Sequence, residues 1–172
     1  MNFLKNCNIS AALHSYVFYK KDARANMHTS LTGSKDEAGR RLRVVIVDDD
    51  RACAEGLTDA VEDFGAQAWT CLNGAEAIAL IRQCRPDIVF LDLEMPGVSG
   101  LDVAGSMRMD QTLNAVKLVA VSGHNDREAR DQTAKAGFDL HIAKPFKLAS
   151  LEGMLDLVSA TLLGGTSAKV VA

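Results

Sequence analysis

Four polar islands follow directly on runs of aliphatic and β-branched residues. Asp48-Asp49-Asp50 follows residues 42–47, Asp92 follows 88–91, Ser122 follows 117–121, and Lys144-Pro145 follows 140–143. Each run has the length and composition of a short buried strand closed by turn residues. In an open parallel sheet, ligands gather outside the carboxyl ends of the strands. Three carboxylates, a hydroxyl and an ammonium would then converge on one sheet edge. That set suits a divalent cation and a phosphoryl group.

The adjacent pair Asp48 and Asp49 carries a repulsion that a purely structural role would not justify. A hard cation such as Mg2+ neutralises such a pair and favours oxygen ligands. Asp50 has a plainer reading as the cap of a helix starting near Arg51. A lone carboxylate such as Asp92 often serves as a turn residue. Beside a cation it becomes a nucleophile, and aspartate attack on phosphorus gives an acyl phosphate. Lys144 and the cation would share the charge on the phosphoryl oxygens, and Ser122 would donate to one of them.

These side chains need a frame, and the chain between them alternates at near-constant spacing. A helical pattern over 51–64 shows Ala52, Leu57, Ala60, Val61 and Phe64 at helical intervals, with Gly65 as its stop. A weak strand at 67–71 has the composition of a sheet edge. Asn73 caps a helix ended by Pro86, whose apolar face is Ala77, Ile78 and Ile81. Further helices are expected from near Ser99, over about 126–136 ending at Gly137, and over about 147–163. Five strands alternating with five helices mean an α/β fold with a parallel sheet and helices on both faces.

The charge is unevenly spread. Residues 1–41 carry seven Lys/Arg against three acids, so the rest of a chain of net charge -3 is distinctly acidic. An acidic domain repels nucleic-acid phosphates, and direct DNA binding is not expected. The basic stretch reads as a flexible extension and linker. A signal-peptide reading of residues 9–25 is weakened by His14, Ser15 and the charged Lys20-Lys21-Asp22. Met27 offers an alternative start of translation. No apolar run reaches the ~20 residues needed to span a bilayer. The four cysteines (Cys7, Cys53, Cys71, Cys84) have no metal-ligand spacing, and read as reduced thiols of a cytoplasmic protein.

The segments VVIVDDD, IVFLDLEMPGVSGLD, VAVSG and HIAKPF, in this order, resemble the receiver domain of two-component response regulators. The resemblance covers about residues 42–163, leaving 1–41 as the extension and 164–172 as a short tail. It implies a flavodoxin-like five-stranded parallel sheet of order 2-1-3-4-5. It also implies that Asp92 is phosphorylated by a sensor histidine kinase or a histidine phosphotransfer protein. Asp48 and Asp49 would hold Mg2+ with Asp92 and the backbone carbonyl of Glu94. Lys144 and Ser122 would contact the phosphoryl group, and the Lys144–Pro145 bond is expected to be cis. Glu94 and His124 are implied to tune the lifetime of the acyl phosphate.

Signalling in the family couples a hydroxyl at the Ser122 position to an aromatic switch three residues before the lysine. Here that residue is His141, whose competing reading is a half-buried strand residue. Output is expected through a downstream protein docking on the fourth helix, fifth strand and fifth helix, in a chain with no turnover of its own. The competing class is a phospho-aspartate phosphohydrolase, which usually has a second aspartate where this chain has Glu94. A nucleotide- or flavin-binding domain is disfavoured because no glycine-rich phosphate loop follows a strand.

Overall fold

The computed structural model describes residues 40–163, apart from Asn125 and the side chains of residues 162 and 163. The extension, its signal-peptide and start-site readings, and the tail fall outside the described residues.

Five strands form one parallel sheet: β1 (Arg43–Val47), β2 (Gln67–Cys71), β3 (Ile88–Asp92), β4 (Lys117–Ser122) and β5 (Leu140–Ala143). Their order is β2-β1-β3-β4-β5, as expected. The helices between them are α1 (Arg51–Asp63), α2 (Gly74–Cys84), α3 (Gly100–Met109), α4 (Arg127–Lys135) and α5 (Leu148–Leu163). A 3-10 turn at Gln111–Leu113 joins α3 to β4. The strand order reverses between β1 and β3, which is where such a sheet opens a crevice.

The period-two alternation of the strands sorts side chains into two cores. Val44, Ile46, Ile88, Phe90, Val119 and Val121 pack with α1 and α5, through Leu57, Val61, Leu151 and Leu155. Val45, Val47, Val89, Leu91, Leu118 and Ala120 pack on the other face with α2 and α3, through Ile81, Val103 and Met107. Phe90 is essentially solvent-free; burial of such a ring contributes roughly 2–3 kcal/mol. β3 is buried along its whole length, so its terminal Asp92 is delivered to the sheet edge by a rigid element.

Two details correct the sequence reading. Ala52 is exposed, and Cys53 and Ala54 take the inward positions of the first turn. The Asp50 cap accepts from the backbone N–H of Ala52 and Cys53, and this sets the helix phase. Residues 140–143 form a strand that is only half-buried, because β5 is the second edge of the sheet and α4 covers it thinly. α4 places no residue in either core; its one buried residue is Thr133.

The helix ends follow local chemistry. Asn73 caps α2, and Ser99 and Asp102 form a reciprocal capping box on α3. α2 ends at Cys84, and Arg85, between it and Pro86, caps it in the left-handed region at φ 46°. Trp69 is half-buried on β2, packed against the second core, with the Arg43 guanidinium over its ring at 5.4 Å.

At the amino edge of the sheet Arg108 ties three segments together. Its Nε donates to the Gly137 carbonyl (2.8 Å), Nη1 to the Val116 carbonyl (3.2 Å) and Nη2 to Asp139 (2.9 Å). Asp139 also accepts from Lys117 Nζ and the Leu118 N–H. Arg108→Met keeps the aliphatic stem and strips these bonds from carbonyls that are partly withdrawn from water. Denaturant unfolding is expected to show a loss of about 2–3 kcal/mol; a loss below about 0.5 kcal/mol would contradict this account.

Candidate functional site

Asp48 and Asp92 are 5% and 8% exposed, and both reach the carboxyl edge of the sheet at the ends of adjacent strands. Lys144 comes from the end of β5 and lies between them. Its Nζ donates to Asp48 Oδ2 at 2.8 Å and to Asp92 Oδ2 at 3.1 Å. The remaining oxygens are also engaged. Asp48 Oδ1 accepts from the Asp50 N–H (2.9 Å), and Asp92 Oδ1 from the Glu94 N–H (3.3 Å). Asp49 is exposed, and one oxygen from each of Asp48, Asp49 and Asp92 lies within 4.8 Å of the others. The Lys144–Pro145 peptide bond is cis.

The electrostatics follow from burial. Withdrawal from water pushes the Asp48 carboxyl up to about 6, against the opposing pull of Lys144. Burial alone would lower Lys144, but the two facing carboxylates outweigh it and hold the ammonium above its usual range. Among these four groups, three negative charges face one positive charge. The donor set is all oxygen, which suits a hard divalent ion such as Mg2+ rather than a thiophilic one.

A pocket of about 320 Å³ opens above these groups, lined by Asp49, Asp92, Glu94, Gly123, His124 and Lys144 together with Asp50 and Cys53. His124 Nε2 and Glu94 Oε1 meet at 2.9 Å across its lip, and both side chains are largely exposed. Ser122 is buried behind the lip, where its Oγ accepts from the His124 N–H at 3.0 Å. Its backbone carbonyl accepts from the Lys144 N–H at 2.7 Å, which ties the ends of β4 and β5 together. His141 stands apart from the pocket: its Nδ1 faces Thr133 Oγ1 at 3.1 Å and its Nε2–H donates to the His124 carbonyl at 2.9 Å. The structure gathers Asp48, Asp49, Asp92 and Lys144 in one place, with Ser122 one hydrogen bond from Lys144 and His141 reached only through His124.

Two glycines that hold this geometry are the least visible part of it. A Cβ on Gly100 would overlap the Asp92 carbonyl, and one on Gly74 would overlap the Val98 carbonyl. The amino ends of α3 and α2 therefore press on the loop that carries Glu94 and fix where β3 stops. Gly74 and Thr133 carry no signal of these contacts in the sequence.

The cysteines need a correction. Cys71 and Cys84 are free and buried, and burial raises both thiols. Cys53 is disulfide-bonded rather than a reduced thiol. It sits in the first turn of α1 beside the pocket, a proximity that chain spacing does not encode.

The raised Asp48 carboxyl has a stability consequence. Its folded-state value of about 6 lies above the ordinary carboxyl value of 3.8, so the folded protein binds the extra proton between these pH values. Its contribution is full below about pH 4 and is lost as pH rises through 6. Metal-free protein in chelator is therefore expected to lose up to about 3 kcal/mol of unfolding free energy from this group between pH 4 and 7. Asp48→Asn is expected to flatten that slope in denaturant titrations; an unchanged slope would refute the assignment.

Comparison with known proteins agrees with the geometry. Residues 44–156 match the family described as the response regulator receiver domain. The DNA-binding response regulator MtrA of Mycolicibacterium paratuberculosis is 36% identical over 107 residues, 62% of this chain and 46% of that protein. The chain thus matches less than half of that relative's length. The polar-differentiation response regulator DivK of Brucella anthropi is 30% identical over 105 residues, 61% of this chain and 85% of that protein. A crystal structure of a putative response regulator from Chloroflexus aurantiacus J-10-fl superposes with a TM-score of 0.67 at 25% identity, covering 70% of this chain and 99% of that one. Sheet order, the carboxylate–lysine cluster and the family match converge: the chain belongs to the response regulator receiver domain family.

Proposed function

We propose that this chain is the phosphoacceptor switch of a two-component relay, with Asp92 as the residue modified. A phosphorylation-dependent switch is the general function of the family. The observation that carries the residue assignment is the Lys144 ammonium, held 3.1 Å from Asp92 and 2.8 Å from Asp48 at the floor of an open pocket. It presents a buried carboxylate beside a cation, with room above for a phosphoryl group.

The donor is a sensor histidine kinase or a histidine phosphotransfer protein carrying a phosphoramidate. An Asp92 carboxylate oxygen attacks phosphorus; the P–O bond forms as the P–N bond breaks, and the donor imidazole leaves with the electron pair. Asp48 and Asp49 would hold Mg2+, with Asp92 and the Glu94 backbone carbonyl as the protein's further ligands. When bound, the ion offsets the carboxylate charge and that of the phosphoryl oxygens. Lys144 is close enough to Asp92 to turn from the carboxylate to a phosphoryl oxygen. Ser122 Oγ accepts from the His124 N–H, and turning its hydroxyl to donate to a phosphoryl oxygen would give up that bond.

Glu94 and His124 pair at the lip, across the path of water to the acyl phosphate, and so set its lifetime. Output passes to a protein partner on the α4–β5–α5 face. The relative named as DNA-binding matches this chain over less than half its length, and the acidic balance of this domain disfavours duplex contact by the domain itself. No described helix is long and apolar enough to cross a membrane; a cytoplasmic location is part of the proposal, because the proposed phosphodonor would be met there. A phosphohydrolase reading gains nothing from the structure, since Glu94 faces His124 at the lip.

Incubation with Mg2+ and acetyl phosphate is expected to add one phosphoryl mass, absent in Asp92→Asn and in chelator. Lys144→Ala is expected to keep the mass gain and lose the downstream response. A wild-type protein that gains no mass while binding Mg2+ would overturn the proposal.

A further inference from the structure

Among the described residues, α4 is the least anchored helix of the fold. It contributes nothing to either apolar core, and its sequence REARDQTAK leaves Thr133 as its one buried side chain, 2% exposed. Thr133 does not bury itself among hydrocarbons alone: its hydroxyl faces the His141 ring at 3.1 Å. The far side of that ring bonds the His124 carbonyl at 2.9 Å, and the His124 N–H bonds Ser122 Oγ at 3.0 Å. An unbroken run of contacts therefore leads from the phosphoryl-facing hydroxyl to the only buried point of α4.

The donors can be assigned. A carbonyl can only accept, so His141 Nε2 carries a hydrogen, and in the neutral ring Nδ1 is left as an acceptor. Thr133 has one hydroxyl proton, and three acceptors surround it: His141 Nδ1 and the carbonyls of Ala129 and Arg130 at 3.1 and 3.0 Å. Giving that proton to His141 holds α4 to the sheet; giving it to Ala129 or Arg130 returns it to the helix's own backbone. The Thr133 hydroxyl is satisfied in both arrangements, while the second frees the half-buried His141 Nδ1 to be met by water.

We propose that Thr133 is the residue by which α4 senses the phosphoryl site, with His141 as a hydrogen-bonded clasp that the site opens. The inference rests on the reading of Asp92 as phosphoacceptor and of Ser122 as a phosphoryl contact. When Ser122 turns to the phosphoryl oxygen, the His124 N–H loses its acceptor and the β4–α4 loop shifts. The His124 carbonyl then leaves His141, the ring is released, and the Thr133 proton returns to the helix backbone. α4 loses its one buried tether and detaches from β5. Transmission here is a handover of hydrogen bonds, in place of an aromatic side chain filling a void.

Thr133→Val keeps the shape and β-branching of the side chain and removes the hydroxyl; His141→Phe fills the same strand position without either ring bond. Amide hydrogen exchange of the α4 peptide, on full-length protein, reads both states. Without phosphate, exchange in α4 is expected to be about five- to tenfold faster in each variant than in wild type, the size of one lost net hydrogen bond. The double variant is expected to be no faster than either single one, because both break the same run. With Mg2+ and acetyl phosphate, wild-type α4 is expected to accelerate by a similar factor, while the variants gain the phosphoryl mass yet change less than about twofold. Variants that match wild type without phosphate, or that respond to phosphate as wild type does, would overturn the clasp. A wild type that gains no mass would sink the phosphoacceptor reading instead, and the phosphate-free comparison still decides the clasp.

Discussion

One ammonium among three carboxylates governs this molecule. Lys144 lies within hydrogen-bonding distance of Asp48 and Asp92, both nearly buried, and Asp49 stands at the rim of the same cluster. Buried charge is costly unless paired, and one ammonium cannot balance three carboxylates. The rest of the fold acts to hold this imbalance in place. β3 is solvent-free and cannot yield, β1 is clamped between β2 and β3, and the Ser122 carbonyl takes the Lys144 N–H so that β5 delivers its lysine at a fixed height. A second positive charge is what the cluster lacks, and that lack is the basis for both metal binding and phosphoryl chemistry.

The same rigidity explains where flexibility has been left. The two cores are built from strands β1, β3 and β4 with α1, α5, α2 and α3. Helix α4 stands outside them, while the edge strand β5 only leans on one of them through Leu140 and Ile142; between α4 and β5 the His141–Thr133 contact is the side-chain hydrogen bond. A stiff charge cluster beside a loosely held helix is the arrangement a switch needs, because a local change in charge can bias an element with little packing to lose.

The fold was legible because β-branched runs closed by turn residues recur at near-constant spacing, and because each run ends in a polar residue. The unbroken apolar run 88–91 reads as a strand buried on both faces, and β3 is that strand. The metal and phosphoryl candidates were legible for the same reason: a carboxylate or lysine at the end of an apolar strand has one place to go. What sequence concealed were the relations between side chains from different elements. Ala52 is exposed although it fits a helical period, because the Asp50 cap sets the phase. Residues 140–143 look as apolar as the central strands, yet they lie at an edge. Cys53 has no spacing partner that predicts a disulfide. Thr133, an unremarked residue in a polar helix, becomes informative only when the His141 ring is seen beside it.

The account stands on an unbalanced negative charge at the carboxyl edge of the sheet, and a thermal unfolding series in Mg2+ addresses it directly. A ligand that binds only the folded state raises stability as its concentration passes Kd. At neutral pH and constant ionic strength, the unfolding midpoint of the wild-type chain is predicted to climb steadily with Mg2+ and to stay flat in Asp49→Asn. A wild-type midpoint that does not move up to about 20 mM Mg2+, or one that climbs equally in Asp49→Asn, would contradict it.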